Sequence, residues 1–478
     1  TAVAVKVLRD FGADFDFLVP NRLEYGSGLT PEIVALAALR KPDVIVTVDN
    51  GIASVDGVAA AKALGMLVLI TDHHLPGSET PQADCIINPN QHGCSFTSKH
   101  LAGVGVMFYA LLGLRAELRE RGAFAQKPEP NLTELLDLVA LGTVADLVKL
   151  DENNRILVEQ GLRRIRAGAC SDGVTALLKI AGREPSKATA QDLGFYVGPR
   201  LNAAGRLDDM TLGIQCLLAD SETKAFQIAQ QLHDLNQQRR SIEVDMQESA
   251  NIELEEASIA HQYSISLYQS DWHQGVIGIL ASRIKERYHR PVIAFADAGD
   301  GLIKGSGRSI AGLHLRDALD LLSKHQPSLI VKFGGHAMAA GLSIRLEDFN
   351  LFKLGFELVV KSLITEADLQ AVLEVDGSLN AQDMTFEVAQ MLENQVWGQG
   401  FALPLFYDEF DVLNQRVLGE KHLKLTLRPV ASNLSSVDAI YFNQATLLSE
   451  RIKAAYQLQT NSYNGMQKVQ LNIRHVNV

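Results

Sequence analysis

Hydrophobic and polar positions follow strand-like and helix-like patterns in turn through the first 150 residues. Residues 43–48 and 66–71 are short, continuously apolar and rich in β-branched side chains, which predicts two strands buried on both faces of a sheet. The Ala-rich segment 52–64 predicts a helix between them, so the strands should be parallel and joined by a right-handed crossover. Residues 132–144 form a further apolar helix or strand that ends in GTVAD.

The pattern changes at residues 220–260, which are rich in Gln, Glu and Arg, lack Gly and Pro, and have a helical apolar period. One or two long connecting helices are therefore predicted there. Further strands are predicted at residues 263–268, 292–296 and 329–332, and a further helix at residues 276–288. Beyond about residue 371, short alternating runs such as LKLTLRPV and KVQLNIRHV are typical of a small β-barrel.

The composition is that of an ordinary globular protein of 478 residues, long enough for roughly three domains. No apolar run approaches the roughly 18 residues of a membrane span, and the amino-terminal sequence is not that of a signal peptide. The four cysteines lie far apart without a C-x-x-C pair, which indicates reduced thiols and predicts a cytoplasmic protein.

The net charge of −12 argues against broad, non-specific binding to nucleic acid. Affinity, however, depends on local fields rather than on totals. Residues 283–332 contain nine Lys or Arg against five Asp or Glu, so this part of the chain is locally basic. A nucleic-acid ligand therefore remains compatible with the sequence.

Polar side chains follow both predicted amino-terminal strands: Asp49 after the first, and Asp72, His73 and His74 after the second. Because parallel strands end at the same edge of a sheet, we expect these side chains to converge, and Asp146 could join them. Carboxylates and imidazoles together bind first-row metal ions, and the mixed set suits Mn²⁺ somewhat better than Mg²⁺. Each residue alone is more typical of a helix cap or surface turn; the combination favours a metal site.

The motifs VDNG, TDHH and GTVAD, in this order, resemble the second, third and fourth motifs of the DHH phosphoesterase superfamily. GPRLNAAGR (198–206), KGSGRS (304–309) and GGHAMAAG (334–341) resemble motifs of its RecJ family, the last being similar to the DHHA1 signature. The resemblance covers nearly the whole chain and implies an α/β architecture. Its expected parts are a parallel-sheet DHH domain (1–207), a helical linker (208–262), a second α/β domain, DHHA1 (263–368), and a C-terminal β-barrel of the OB-fold type (372–478).

One feature of the superfamily is missing. Its first motif, Asp-x-Asp-Ala-Asp-Gly after a strand, supplies ligands to both metal ions and does not occur in the chain. The chain starts without Met, and residues 1–12 resemble the helix that follows this motif. We therefore expect the motif to lie upstream of Thr1, and the chain to contain an incomplete metal site.

The resemblance also implies roles for the remaining site residues. Asp49 would bridge two divalent cations, Mn²⁺ or Mg²⁺, and His73 and Asp146 would complete the second metal site. His74 would bind the substrate phosphate, and Asp72 would orient a histidine. The substrate-binding residues would be Arg200 or Arg206, Asn202, Ser306, Arg308, Gly334, Gly335 and His336.

Two of these motifs have a physical interpretation of their own. GGHAMAAG is expected to form a strand-to-helix turn in which backbone N–H groups and His336 bind phosphate, and KGSGRS a basic, glycine-rich loop. A Gly-Gly turn for tight packing is the alternative. In the barrel, the basic residues Lys421, His422, Lys424 and Arg428 would attract a single strand, and Phe406, Tyr407, Tyr441 and Phe442 would stack on bases, although half of these aromatics are expected in the core.

The implied function is that of a single-stranded-DNA-specific 5′→3′ exonuclease that releases 5′-mononucleotides with two metal ions, in DNA recombination and repair. The linker and the OB domain would frame a passage too narrow for duplex. The implied partner is a single-stranded-DNA-binding protein, and the protein would be a cytoplasmic monomer. Two alternatives stay open: a phosphatase or oligonucleotidase of small substrates, which does not explain the linker and barrel, and a catalytically inactive DNA-binding scaffold, which the missing motif allows.

Overall fold

The computed structural model describes residues 1–20, 28–256, 259–430, 436–463 and 466–477. Its α-helices are α1 (Ala2–Phe11), α2 (Pro31–Ala38), α3 (Val55–Ala63), α4 (Gly103–Glu120), α5 (Leu136–Ala145), α6 (Glu152–Arg166), α7 (Asp172–Ile180), α8 (Gly198–Leu207), α9 (Thr211–Leu217), α10 (Glu222–Glu256), α11 (Ile277–Tyr288), α12 (Leu315–His325), α13 (Phe349–Leu363) and α14 (Phe386–Glu393). Its strands are β1 (Val44–Val48), β2 (Leu67–Thr71), β3 (Cys85–Ile87), β4 (Ile265–Gln269), β5 (Val292–Gly299), β6 (Leu302–Arg308), β7 (Lys332–Gly335), β8 (Ala339–Arg345), β9 (Phe406–Leu418), β10 (His422–Pro429), β11 (Val437–Tyr441), β12 (Arg451–Tyr463) and β13 (Met466–Asn477).

The chain divides into two compact units. The first comprises Thr1–Gly205, Asp209–His233 and Glu374–Val478, and the second comprises Arg206–Asp208 and Asp234–Leu373. In the part of the chain that is described, no helix is both long and apolar enough to cross a bilayer. The four cysteines are free thiols: Cys85 is exposed, Cys216 is buried, and burial raises the pKa of the Cys216 thiol to about 12.

The first sheet is parallel and has the order β1-β2-β3, which confirms the predicted strand–helix–strand unit. Val48 pairs with Thr71, and Thr71 with Ile87, so the residues that follow these three strands lie along one edge. The expectation that β1 is buried on both faces was wrong. Val44 and Val46 are 46% and 38% exposed, and Leu67, which pairs with Val44 on the central strand β2, is 50% exposed. Side chains that pair across the strands share a face, so this face of the sheet is only partly covered in the described part of the chain.

The apolar segment 132–144, for which helix and strand were both open, is helical. A 3₁₀ turn (Leu132–Leu135) leads into α5, whose side chains are buried on all sides. Asp146 caps its carboxyl end, with its N–H donating to the Gly142 carbonyl at 3.0 Å. This third element therefore presents Asp146 from a helix end rather than from a strand.

The Gln- and Glu-rich segment forms one continuous helix, α10, of 35 residues. Its carboxyl half belongs to the second unit, where Met246, Ala250 and Leu254 lie in the core. Glu243 of this helix accepts from Arg283 of α11 at 3.0 Å and is also paired with Arg239. Burial with two guanidinium partners is how a carboxylate is accommodated in such a core.

The second sheet has the order β4-β5-β6-β8-β7, in which β4 and β5 are parallel and the other neighbours antiparallel. Three sequence expectations were wrong here. The strand expected at 329–332 begins only at Lys332, and GGHAMAAG is the β7–β8 hairpin instead of a strand-to-helix turn. All of KGSGRS except its last residue, Ser309, lies in β6 instead of a loop.

The glycines of these two motifs allow close packing. Gly335 has a φ of +146°, and a Cβ atom there would lie 2.4 Å from the Ala339 carbonyl oxygen. A Cβ atom at Gly305 would lie 2.6 Å from Cε1 of Phe295 on the neighbouring strand. A glycine that admits a neighbouring backbone or ring looks the same in the sequence as one that forms a flexible loop.

The carboxyl-terminal strands close into a barrel, β10-β11-β13-β12-β9, as the alternating pattern predicts. Its core contains Phe410, Leu425 and Tyr456, and Phe406 and Tyr441 pack against that core. Phe442 is 47% exposed, and its ring lies 5.2 Å from that of His422 in an edge-to-face arrangement. Two of the four aromatics, Phe406 and Tyr441, thus pack against the core, in agreement with the expectation that about half of them would.

Candidate metal centre and phosphate-binding groups

Asp49 stands directly after β1 in the left-handed region, with a φ of +68°. Asp is one of the few side chains that tolerate this conformation. Its N–H donates to the Thr71 carbonyl at 2.9 Å, which ties it to the end of β2. The start of α4 packs directly against its carboxylate: a Cβ atom at Gly103 would lie 2.3 Å from Oδ1 of Asp49. Only glycine fits there without displacing that carboxylate.

Asp72 follows β2 and is only 1% exposed. Its carboxylate accepts hydrogen bonds from the N–H groups of Ile52, His73 and His74 at 2.9, 2.8 and 3.2 Å, and it contacts Nδ1 of His74 at 2.7 Å. Burial raises the pKa of Asp72, but these hydrogen bonds outweigh it and the pKa is lowered. Asp72 is therefore an anion that fixes the ring of His74.

His73 contacts the two other carboxylates. Its Nε2 lies 3.0 Å from Oδ1 of Asp49 and 3.5 Å from Oδ2 of Asp146. Burial lowers the pKa of His73, but the contact with Asp49 and the charge of Asp146 outweigh that effect, and the pKa is raised. The ligand atoms of Asp49, His73 and His74 all lie within 4.8 Å of one another.

This arrangement fits a divalent cation. Nε2 of His73 is buried and has no hydrogen bond of good geometry among the described residues, although carboxylates approach it from two directions. Burial, followed by the charge of Asp49, raises the pKa of Asp146, so the two carboxylates repel each other. A cation among these oxygen and nitrogen atoms would relieve the repulsion and supply the missing partner of Nε2.

Two asparagines that the sequence interpretation missed hold the histidines in place. Nδ2 of Asn88 donates to the His74 carbonyl at 2.9 Å, and Nδ2 of Asn90 donates to the His73 carbonyl at 2.6 Å. Both follow β3 in the sequence INPN, at the same edge as Asp49 and Asp72. Recognition of residues 85–87 as a third parallel strand could have revealed them.

Ser306 and Arg308 lie in the second unit, at the end of β6. Arg308 is half-buried, and burial lowers its pKa. Its Nη1 donates to the Gly307 carbonyl at 2.7 Å and to Oγ of Ser306 at 3.3 Å, and no ion pair found in the described ranges involves it. A shielded guanidinium that lacks an acidic partner suits a phosphate group.

A turn before α11, which the sequence interpretation also missed, borders these groups. A Cβ atom at Gly278 would lie 2.9 Å from Oγ of Ser306 and 3.0 Å from Nη2 of Arg308. Nη1 of Arg206 donates to the Gly275 carbonyl at 3.0 Å. Arg206, Ser306 and Arg308 therefore lie around the amino end of α11. The sequence WHQGVIG, which forms this turn and the start of α11, is the feature from which the turn could have been predicted.

The other expected substrate-binding residues have surroundings of their own. Arg200 is 5% exposed and its Nε donates to Nδ1 of His233 at 3.2 Å, a contact that joins α8 to α10. Asn202 is exposed on α8. Gly334 and Gly335 line a cavity of about 500 Å³, and His336 turns the β7–β8 hairpin beside them. The cavity is lined by Arg316, Asp317, Asp320, Phe333, Gly334 and Gly335.

The parallel sheet with its edge of carboxylates and imidazoles defines a protein of the DHH class. The model of the DHH family, N-terminal domain, matches residues 1–143, that of the DHHA1 domain matches residues 258–361, and that of the RecJ OB domain matches residues 375–475.

The chain belongs to the RecJ family. It is 51% identical to the single-stranded-DNA-specific exonuclease RecJ of Dickeya dadantii, over 100% of this chain and 84% of that protein. Its structure is similar to RecJ from Thermus thermophilus in complex with Mn²⁺, with a TM-score of 0.83 at 28% identity over 100% of this chain and 66% of that chain. The complex with Mg²⁺ gives a TM-score of 0.71 at 26% identity, over 100% of this chain and 74% of that chain.

Proposed function

We propose that this chain is a metal-dependent exonuclease that degrades single-stranded DNA in the 5′→3′ direction and releases 5′-mononucleotides. The observation that carries the proposal is the convergence of Asp49, His73 and Asp146 at one sheet edge, beside a His74 ring fixed by Asp72. Membership of the RecJ family specifies the substrate class for that edge.

Each residue of the edge has a distinct task. Asp49, His73 and Asp146 would hold Mn²⁺ or Mg²⁺, as the metal-bound relatives suggest. Such ions supply a water of lowered pKa and offset charge on the phosphoryl oxygens. We assign His74 to the scissile phosphate, because Asp72 fixes its ring and thus removes the need to order it when substrate binds.

The phosphate groups of DNA would bind in the second unit. Arg308, Ser306 and Arg206 lie at the amino end of α11, where a helix dipole and N–H groups favour an anion. We assign these three residues to the DNA backbone and its 5′ end. Contacts with phosphate groups position the strand without reading its bases. An enzyme that degrades any sequence requires this.

The barrel would hold the incoming strand. Lys421 and Arg428 are exposed, Lys424 is half-buried, and the exposed ring of Phe442 could stack on a base. We further propose that the protein acts as a cytoplasmic monomer in recombination and repair, with a single-stranded-DNA-binding protein as partner. A small-substrate phosphatase would have no use for this barrel.

The test uses the natural full-length protein with Mn²⁺ and three substrates: a single strand with a 5′-phosphate, the corresponding blunt duplex, and pyrophosphate. We expect 5′-mononucleotides from the single strand and at least about 100-fold slower reaction of the duplex, because the contacts assigned here are to one flexible strand. Equal rates on single strand and duplex would contradict the specificity. Hydrolysis of pyrophosphate alone would favour the small-substrate phosphatase.

A further inference from the structure

A short hairpin precedes the barrel, between α14 and β9. The N–H of Gly398 donates to the Phe401 carbonyl at 2.9 Å, and the N–H of Phe401 donates to the Gly398 carbonyl at 3.0 Å. Gln399 and Gly400 form the tip, where Gly400 has a φ of +69°. We call residues 397–401 the Trp397–Phe401 hairpin.

The tip of this hairpin contacts the segment that follows Asp146. The N–H of Leu150 donates to the Gln399 carbonyl at 2.8 Å. A Cβ atom at Gly398 would lie 2.6 Å from Cδ1 of Leu150, and one at Gly400 would lie 2.5 Å from Cγ of Lys149. Glycine at both positions therefore lets the hairpin backbone approach Lys149 and Leu150 closely.

A ring contact joins the same hairpin to helix α6. The guanidinium carbon of Arg155 lies 3.9 Å from the centre of the Phe401 ring, on which Trp397 stacks at 5.1 Å with an interplanar angle of 10°. Nε of Arg155 is buried and has no hydrogen-bond partner among the described residues. Its favourable contact is therefore with the ring of Phe401, as in cation–π pairs.

The hairpin is also attached to the barrel. Nε1 of Trp397 donates to the Leu392 carbonyl in α14 at 2.6 Å. The next residue, Glu393, accepts from the N–H and Oγ1 of Thr460 in β12 at 2.8 and 2.6 Å. A chain of direct contacts thus runs from β12 through α14 and the hairpin to Leu150.

The segment 146–150, which the hairpin contacts, depends on such support. Between Asp146 and Leu150 the backbone leaves α5 through Leu147, a non-glycine residue with a φ of +58°. A conformation of this kind persists only where its surroundings hold it. The contacts that hold the segment include that of Asn154, whose Nδ2 donates to the Lys149 carbonyl at 2.9 Å, and those of the hairpin.

We propose that the Trp397–Phe401 hairpin is a positioning element through which the barrel holds Asp146 in place for metal binding. The proposal rests on the assignment of Asp146 as a metal ligand made above. In this view the barrel contributes to the metal centre as well as to DNA binding, and Phe401 and Arg155 are positioning residues that touch neither metal nor substrate.

The test measures Mn²⁺ binding to the full-length protein without DNA, by electron paramagnetic resonance of the free ion, together with kcat and KM on a single strand. We expect F401A and R155A to raise the Kd for Mn²⁺ by about 10-fold, as loss of supporting contacts around a metal site does. kcat at fixed Mn²⁺ should fall while KM for DNA changes less than about twofold, because no DNA contact of Phe401 is involved. F401Y keeps the ring and should restore both quantities.

Arg163→Ala is the matched control for Arg155→Ala, since Arg163 lies on the same helix, is exposed and pairs with Glu159. If F401A does not fold, R155A carries the test alone. Unchanged Mn²⁺ affinity in R155A, or equal losses in R155A and R163A, would overturn the inference. Asp146→Ala distinguishes failure of the ligand assignment from failure of the positioning role. If D146A binds Mn²⁺ like the wild type, Asp146 is not a ligand. If D146A loses Mn²⁺ affinity while F401A and R155A keep it, the hairpin has no positioning role.

Discussion

Nε2 of His73 lies 3.0 Å from Oδ1 of Asp49, a contact that joins the carboxyl ends of two neighbouring parallel strands. Each residue is held independently, Asp49 by its N–H bond to Thr71 and His73 by the bond from Asn90 to its carbonyl. The backbone that carries these two side chains is therefore held by the protein itself. Binding of a cation then need not include the free energy of ordering this backbone.

The first prediction concerns the ligand itself. His73→Ala in the full-length protein should lower the rate on single-stranded DNA by more than about 100-fold, because a metal ligand is lost at the sheet edge. His92→Ala is the control, since His92 is exposed in the same domain. Initial rates and circular dichroism of both variants check this. Near-normal activity of the folded His73 variant would refute the assignment.

The second prediction compares two glycines of helix α4. Gly103→Ala should displace the Asp49 carboxylate, because the new Cβ atom would lie 2.3 Å from Oδ1, and Mn²⁺ affinity should fall about 10-fold. Gly113 has open space around it, so Gly113→Ala should leave metal binding unchanged and raise the free energy of unfolding by about 0.5–1 kcal/mol. Calorimetric Mn²⁺ titration and urea unfolding measure both. Equal Mn²⁺ affinities of the Gly103 and Gly113 variants would contradict the prediction, because the Asp49 carboxylate would then tolerate the added Cβ atom.

The third prediction tests the asparagine turn. Asn90→Ala should lower kcat about 10-fold, because the carbonyl of His73 loses its donor and the backbone that carries the ring is held less firmly. Gln91→Ala is the control: Nε2 of Gln91 donates to the Ile86 carbonyl at 3.0 Å in the same turn, away from the histidines. Each change should reduce the free energy of unfolding by about 1 kcal/mol. If both variants lose the same activity, the effect belongs to the turn as a whole.

The fourth prediction concerns Arg308 and salt. Removal of one phosphate contact should weaken binding of every single-stranded sequence alike and reduce the slope of log K against log salt by about 0.7. Arg308→Ala should do this, while Arg345→Ala, at the exposed end of β8, should leave the slope unchanged. Fluorescence anisotropy at several salt concentrations gives the slopes. An unaltered slope for Arg308→Ala would place the phosphate elsewhere.

The sequence predicted β1 and β2 and the edge that they share because apolar runs of strand length, each followed by an acid, specify both the strands and the end at which ligands bind. The helical character of α10, predicted as one or two long helices, and the barrel followed from periodicity in the same way. Asn88 and Asn90 were missed because β3 has only three residues, too few for a pattern.

The errors in the second unit have a different origin. Gly334 and Gly335 are compatible with a helix start and with a tight hairpin, and only the Ala339 and Ala340 atoms that approach Gly335 decide between them. Likewise, nothing in the local sequence around Gln399 indicates that its carbonyl meets Leu150. Contacts between distant segments depend on packing, which a periodic pattern does not encode.

The positions of the cysteines make labelling at Cys85 practical once the half-buried Cys94 and Cys170 are replaced. A maleimide reacts with the thiolate, and with a pKa of about 12 the buried Cys216 stays protonated at neutral pH. Cys85 is exposed and begins β3, at the end of the strand opposite to Asn88. A fluorophore attached to Cys85 would sit on the sheet that carries the acids and histidines without touching them, and could report the arrival of an ion or a strand.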